Sequence, residues 1–205
     1  MKVLGLTGSI GMGKTTAARL FRSQGIPVHD SDAAVHALMR KGGAAVGKIA
    51  AEFPDVVIDG VVDRQLLGQQ VFGDTQALQR LEAIIHPLVR QSSRAFLAKH
   101  RRRGCRLVVL DIPLLYETGG EALCDAVVVV SAPAWLQRQR VLRRPGMTRE
   151  RFTAILAKQL PDAQKRLRAQ FVVLSGLGKH YTLRQIQKVI ALLSSNPNDG
   201  ASDER

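Results

Sequence analysis

The chain has 205 residues, enough for one ordinary globular domain with an insertion. Hydrophobic residues make up 45% and charged residues 23%, which excludes a disordered or collagen-like chain. The formal net charge of +13 favours an anionic partner, whether a nucleic acid, a membrane surface or a phosphorylated small molecule. No apolar run reaches the ~18 residues of a membrane span, and no signal sequence is recognisable. We therefore expect a soluble, cytoplasmic protein.

Short apolar runs along the chain are predicted to be strands. They are rich in valine and leucine and do not alternate with polar residues, which is typical of parallel strands covered by helices on both faces. The predicted strands are Lys2–Thr7, Ile26–His29, Arg106–Ile112, Asp125–Ser131 and Gln170–Leu174. The sequence therefore predicts an α/β fold.

Helical patterns fill most of the chain between these strands. A helix is predicted over Lys14–Gln24, and residues 33–103 are expected to be almost wholly helical. His86-Pro87 is expected to divide that block into two helices, because a helix usually stops before a proline. A further helical stretch, residues 135–158, is predicted to break near Pro145-Gly146.

Residues 8–15 read GSIGMGKT and match the phosphate-loop pattern G-x-x-x-x-G-K-[ST] in full. The segment follows a predicted strand and opens a predicted helix, as this motif requires. Glycines let backbone N–H groups converge on a phosphate, and the helix N-terminus adds positive partial charge. We expect Lys14 to reach the terminal phosphates and the Thr15 hydroxyl to ligate Mg²⁺. The nucleotide-binding residues are predicted to be Gly8, Gly11, Met12, Gly13, Lys14, Thr15 and Thr16.

Acidic residues, Asp30 and Asp32, follow the second predicted strand. The carboxyl end of that strand is expected to lie beside the phosphate loop, so a carboxylate there can accept the proton of an attacking hydroxyl. The alternative for Asp32 is a structural role as the cap of a helix beginning at Ala33. Spacing alone leaves both roles open. Asp30 could equally orient a neighbour or the water shell of magnesium.

Together these motifs resemble those of dephospho-coenzyme A kinases over residues 1–178. The phosphate loop alone would not be specific, whereas the combination is. The matching segments are GLTGSIGMGKTT at residues 5–16, VHDSDAAVH at 28–36, His86-Pro87 with Arg90, DIPLLYE at 111–117, and RQRVLRRPGMT at 138–148 followed by Gln159.

This resemblance implies a three-layer P-loop kinase core with a five-stranded parallel sheet, a helical substrate-binding insertion and a helical lid. The implied reaction moves the γ-phosphoryl group of ATP, with Mg²⁺, to the ribose 3′-hydroxyl of dephospho-coenzyme A, the last step of coenzyme A synthesis. The implied domains are a core at 1–32, 104–134 and 160–193, a substrate domain at 33–103, a lid at 135–159, and a disordered tail at 194–205.

The resemblance also implies roles for individual residues. Asp32 becomes the expected catalytic base, acting with Lys14 and Arg140. Arg140 and Arg144 are one helical turn apart, so both guanidinium groups are expected to project from one helix face toward polyphosphate oxygens. The alternative for these arginines is a solvated basic face. Asp111, where a magnesium-holding acid often stands, is the weaker candidate because the family does not depend on an acid there.

Substrate contacts are assigned to Asp32, His86, Arg90, Leu114 and Leu115. Arg90 is a candidate for binding a substrate phosphate, whereas the two leucines fit a hydrophobic core equally well. The chain departs from the family at other positions. Gln170 and Ser175 stand near the adenine end of the sheet where the family has Asp and Asn.

A nucleic-acid-binding ATPase is the alternative from another class, based on the net charge and the basic run 99–103 with Arg106. That run also fits a solvated helix C-terminus, where cations offset the helix dipole, and no aromatic residue for base stacking interleaves it. We therefore expect a monomeric small-molecule kinase without a membrane or nucleic-acid partner. Another small-metabolite kinase on the same core remains an alternative.

Overall fold

The computed structural model describes residues 1–194 and divides into two compact units. Among the described residues, the core unit contains residues 1–29 and 100–194, and the helical unit contains residues 30–99. Of the predicted tail, 194–205, only Ser194 is described, and it ends the last helix. No helix among the described residues is both long and apolar enough to cross a bilayer.

The described chain alternates strands and helices. The strands are β1 Lys2–Thr7, β2 Val28–Asp30, β3 Val57–Ile58, β4 Val61–Val62, β5 Leu107–Asp111, β6 Ala126–Ser131 and β7 Phe171–Leu174. The α-helices are α1 Lys14–Ser23, α2 Ser31–Leu38, α3 Val46–Glu52, α4 Arg64–Val71, α5 Thr75–Arg102, α6 Ala134–Leu142, α7 Arg149–Ala157, α8 Asp162–Arg168 and α9 Lys179–Ser194.

A five-stranded parallel sheet in the order β2-β5-β1-β6-β7 forms the centre of the core unit. Leu4 in β1 pairs with Val109 in β5 and with Ala126 in β6, so β1 lies in the middle of the sheet. The strand order changes direction at β1, the kind of position where α/β sheets bind their ligands. The segment after β1 is therefore placed for binding.

Both faces of the sheet are covered. On one face Leu4 and Leu6 pack with Phe21 of α1 and Ile186 of α9, all of them fully buried. On the other face, where alternate strand residues point, Leu115 packs against β6. Burial on both faces explains why the strands are continuously apolar. The predicted three-layer α/β fold is confirmed.

The helical unit has its own hydrophobic cluster, which includes Ile49 of α3, Leu67 of α4 and Ile85 of α5. The sequence predicted that this unit would be almost wholly helical. That prediction is wrong, because β3 and β4 form an antiparallel hairpin. Its turn residues, Asp59 and Gly60, have φ angles of 51° and 78°. Positive φ at both central positions is the geometry that an Asp-Gly turn favours. The signal was therefore present in the sequence.

The prediction that His86-Pro87 divides two helices is wrong, because α5 runs through Pro87 without interruption. A proline inside a helix removes a backbone hydrogen bond and costs about 3 kcal/mol. The apolar stripe continues across the proline, with Ile85 and Leu88 both buried in the cluster of the helical unit. Burying such side chains stabilises by about 1.5–3 kcal/mol each, which is enough to offset that cost.

Candidate active site

The phosphate loop connects β1 to α1 in the core unit. Gly13 immediately precedes α1 with a φ angle of 94°, and its carbonyl accepts hydrogen bonds from the amides of Thr16 and Ala17. A Cβ at Gly13 would lie 2.8 Å from the Ser175 hydroxyl oxygen, so only glycine fits there. The loop therefore ends in a helix N-terminus whose first amides are not used within the helix, as anion binding requires.

Lys14, the first residue of α1, forms an ion pair with Asp111 at the end of β5. Its Nζ lies 2.7 Å from Oδ1 of Asp111. The Asp111 side chain is 3% exposed, whereas the Lys14 side chain is 16% exposed. The carboxylate thus holds the lysine from the buried side. From its sequence position Asp111 is the weaker candidate for holding magnesium, and the sequence pattern does not predict its pairing with Lys14.

Arg140 of α6 lies against the phosphate loop. Its Nη1 and Nη2 donate hydrogen bonds of 2.9 Å each to the hydroxyl and carbonyl oxygens of Ser175, and Nη1 lies 3.4 Å from the Gly11 carbonyl. The Ser175 hydroxyl in turn donates to the Met12 carbonyl at 2.6 Å. Ser175, noted in the sequence only as a departure from the family pattern, therefore links the arginine to the loop.

Arg144 does not lie on the same helix as Arg140. The helix α6 ends at Leu142, and Arg144 is exposed in the turn that follows. The reason is local: Pro145 disfavours helical backbone at the residue before it. The prediction that both arginines lie on one helix is therefore wrong, whereas nucleotide binding by Arg144 stays a prediction.

Thr15, in the first turn of α1, is exposed. Its hydroxyl is not engaged by any side-chain or backbone hydrogen bond within the described part of the chain, so it is available to a ligand. No cluster of three or more His, Cys, Asp or Glu within residues 1–194 could hold a metal alone. The donor set fits Mg²⁺ in the manner usual for nucleotide sites, where few protein ligands act together with phosphate oxygens.

Leu114 and Leu115 follow β5 and differ in their surroundings. Leu115 is fully buried and packs with Val127 and Val129, so it belongs to the core. Leu114 is 39% exposed and remains accessible to a ligand. The structure thus favours the core alternative for Leu115, which the sequence had left open.

In the helical unit the cap of α2 is Asp30, not Asp32. The Asp30 carboxylate accepts a hydrogen bond of 3.0 Å from the amide of Ala33, and α2 begins at Ser31. Asp32 lies in the first turn of the helix, with an exposed side chain. The structural alternative for Asp32, capping a helix that begins at Ala33, is therefore excluded.

His86 and Arg90 both lie on α5 and are exposed. Residues four apart in a helix share a face, so these side chains lie on the same side of α5. Proline between them does not alter that spacing, because the helix continues through Pro87.

Comparison with known proteins identifies the family. A family model described as dephospho-CoA kinase matches residues 2–178. The chain belongs to the dephospho-CoA kinase family. It is 64% identical to the dephospho-CoA kinase of Paramagnetospirillum magneticum, over 94% of this chain and 91% of that protein. It is 57% identical to the dephospho-CoA kinase of Mesorhizobium japonicum, over 93% of this chain and 95% of that protein.

A solved structure supports the same fold. The crystal structure of TT1252 from Thermus thermophilus superposes with a TM-score of 0.81 at 36% identity, covering 95% of this chain and 98% of that one. The predictions of the dephospho-CoA kinase family and of a kinase enzyme are confirmed.

Proposed function

We propose that this chain transfers the terminal phosphoryl group of ATP to the ribose 3′-hydroxyl of dephospho-coenzyme A. The observation that carries the proposal is the phosphate loop with Lys14 held by Asp111, within a chain of the dephospho-CoA kinase family. Phosphoryl transfer needs positioning and charge neutralisation more than covalent chemistry. The core unit offers both, through backbone amides and two cationic side chains.

Lys14 supplies the first positive charge. Because Asp111 is almost fully buried while Lys14 keeps partial exposure, the ammonium is oriented without being closed off from a ligand. The lysine ammonium has more N–H donors than the ion pair with Asp111 uses, so the remaining donors can bind β- and γ-phosphate oxygens. Arg140, held by Ser175, supplies a second cation beside the loop. Both groups stabilise negative charge that develops as the phosphoryl group moves.

Mg²⁺, when bound with the nucleotide, would neutralise phosphate charge at the Thr15 hydroxyl. Thr15 contributes an exposed hydroxyl at the start of α1 for this purpose. The Mg²⁺ requirement, a monomeric state and a cytoplasmic location stay predictions.

Asp32 is proposed as the base that accepts the proton of the acceptor hydroxyl. It follows the carboxyl end of β2 by two residues, and ligands of parallel α/β sheets bind beyond such ends. Its carboxylate is exposed, and the neighbouring Asp30 carries out the capping, so Asp32 is available to a substrate. A carboxylate is a suitable base for a sugar hydroxyl that loses its proton during transfer.

The units are assigned roles on the same reasoning. We assign nucleotide binding to the core unit, with residues 135–159 as its lid, and dephospho-coenzyme A binding to the helical unit. His86 and Arg90, exposed on one side of α5, and Leu114, exposed in the core unit, are the proposed substrate contacts. Arg90 is the residue we assign to a substrate phosphate, because a guanidinium matches phosphate geometry.

A coupled assay with ATP, Mg²⁺ and dephospho-coenzyme A tests the proposal, with identification of product phosphorylated at the 3′ position. The Asp32→Asn variant should bind ATP normally and lose about 10²- to 10⁴-fold in turnover. The Asp30→Asn variant is the matched control, since asparagine also caps helices. If ADP is released only with hydroxyl acceptors other than dephospho-coenzyme A, the chain is a different metabolite kinase. Salt-dependent DNA binding without phosphorylation of dephospho-coenzyme A would favour the nucleic-acid-binding ATPase.

A further inference from the structure

One residue of the phosphate loop, Ile10, is held by side chains at both its backbone N–H and its backbone carbonyl. The Ile10 amide donates a hydrogen bond of 3.0 Å to Oε1 of Gln159. The Ile10 carbonyl accepts one of 2.8 Å from Nε2 of Gln137. The two glutamines thus hold the two peptide groups on either side of the Ile10 Cα, Gln159 as acceptor and Gln137 as donor.

The glutamines come from opposite ends of the segment that we assign as the lid. Gln137 is in the first turn of α6 and is 6% exposed, and Gln159 follows α7. The loop is closely packed against α6 at the next residue. A Cβ at Gly11 would lie 2.5 Å from Cγ2 of Val141 and 3.0 Å from the carbonyl oxygen of Gln137.

Holding the Ile10 backbone matters because the loop around it is rich in glycine. Gly11 has a φ angle of 78°, and glycine imposes little restriction of its own on the backbone. Hydrogen bonds from fixed side chains therefore decide how the peptide planes of the loop are oriented. Donors that are oriented before the substrate arrives stabilise charge without reorganisation.

We propose that Gln137 and Gln159 are positioning residues that preorganise the phosphate loop for ATP and couple its conformation to both ends of the lid. The proposal rests on the function proposed above. It predicts that losing either hydrogen bond loosens the loop and weakens ATP binding, while binding of the second substrate is affected much less.

The test uses the difference between donor and acceptor. In Gln159→Glu the carboxylate can still accept from the Ile10 amide, whereas in Gln137→Glu no donor remains for the Ile10 carbonyl. Both changes preserve side-chain size and add the same charge. We expect Gln137→Glu to raise the Kd and KM for ATP by about tenfold, and Gln159→Glu to stay within about twofold of the unchanged chain.

Charge-free variants separate the hydrogen bonds from electrostatic repulsion. Gln137→Met and Gln159→Met remove the donor and the acceptor in turn, and each should raise the Kd and KM for ATP by about tenfold. The KM for dephospho-coenzyme A should stay unchanged. Titration of the folded variants with ATP measures Kd independently of turnover, and thermal unfolding verifies that each variant is folded.

The outcomes are distinct. Equal ATP affinity in both methionine variants and the unchanged chain would overturn the positioning role, as would equal weakening by the two glutamate variants. If the unchanged chain binds ATP but does not phosphorylate dephospho-coenzyme A, the proposed function fails. In that case the ATP titrations still test the positioning role.

Discussion

Two regions of the core unit contain a lysine–carboxylate pair of nearly the same length, and they differ in which partner is buried. At the phosphate loop Lys14 lies 2.7 Å from Asp111, and the carboxylate is the buried partner. Between α8 and the segment after β5, Lys165 lies 2.9 Å from Glu117, and here the lysine is fully buried while Glu117 is 17% exposed. The exposures are reversed.

The difference separates a binding role from a structural one. A lysine with a buried carboxylate behind it presents its charge outward, as a phosphate site needs. A lysine enclosed completely has its charge neutralised inside, and its partner Glu117 also accepts a hydrogen bond of 2.8 Å from the Leu160 amide. In a buried pair, removing one partner leaves the other charge uncompensated. The length of an ion pair therefore says little about its role.

Substitution of Lys14 should change kcat more than any other substitution considered below. Lys14→Met should lower kcat by about 10³-fold, because it removes a cation that acts on the phosphates. It also removes the ion pair between Lys14 and the buried Asp111 carboxylate, so the free energy of unfolding should fall. Adding Asp111→Asn should recover stability and leave activity low. Steady-state kinetics and chemical denaturation measure both quantities. Near-normal turnover in Lys14→Met would contradict the phosphate-binding role of Lys14.

The second effect is on stability at the other pair. Glu117→Gln leaves the fully buried Lys165 without its carboxylate, so we expect a loss of about 3 kcal/mol in the free energy of unfolding. Lys165→Met leaves only the partly exposed Glu117 and should cost about 1–2 kcal/mol. Urea denaturation of the two variants measures the difference. The opposite order would contradict the proposed asymmetry.

Arg140 differs from both lysines because its hydrogen-bond partners are neutral. Arg140→Ala should lower kcat by about 10- to 100-fold. It leaves no buried charge behind, since Ser175 and Gly11 contribute only neutral oxygens, and the unfolding midpoint should change little. Ser175→Ala is the control that removes one acceptor, and it should have a smaller effect on kcat. An unchanged kcat in Arg140→Ala would remove this residue from the mechanism.

The smallest effect is a pH dependence at Glu117. Burial raises the pKa of Glu117, but the Lys165 ammonium and the Leu160 amide outweigh it, and the pKa is lowered overall. A carboxyl with a lowered pKa adds stability above its unfolded pKa and loses that stability as the pH falls through its folded pKa. Between about pH 5 and pH 3, thermal stability should fall less steeply in Glu117→Gln than in the unchanged chain.

The sequence predicted features that depend on nearby residues. The phosphate loop was recognised because its glycines, lysine and threonine must stand at fixed spacing around one phosphate. One local signal was present but not used, since Asp59-Gly60 indicated the hairpin turn. Pro145-Gly146 correctly predicted a break in the helical stretch, but it was not used to place Arg144 outside α6. At Pro87 the local signal misled, because burial of the apolar stripe of α5 outweighed it.

By itself the sequence determined the parallel α/β fold, the phosphate loop and the family, since buried strands and phosphate cradles need particular residues at short range. Only the tertiary structure showed what holds the loop in place. Lys14 and Asp111 are 97 positions apart, and Ser175 is 163 positions from Met12. Such contacts depend on which strands lie side by side in the sheet, and the spacing of residues along the chain does not predict that strand order.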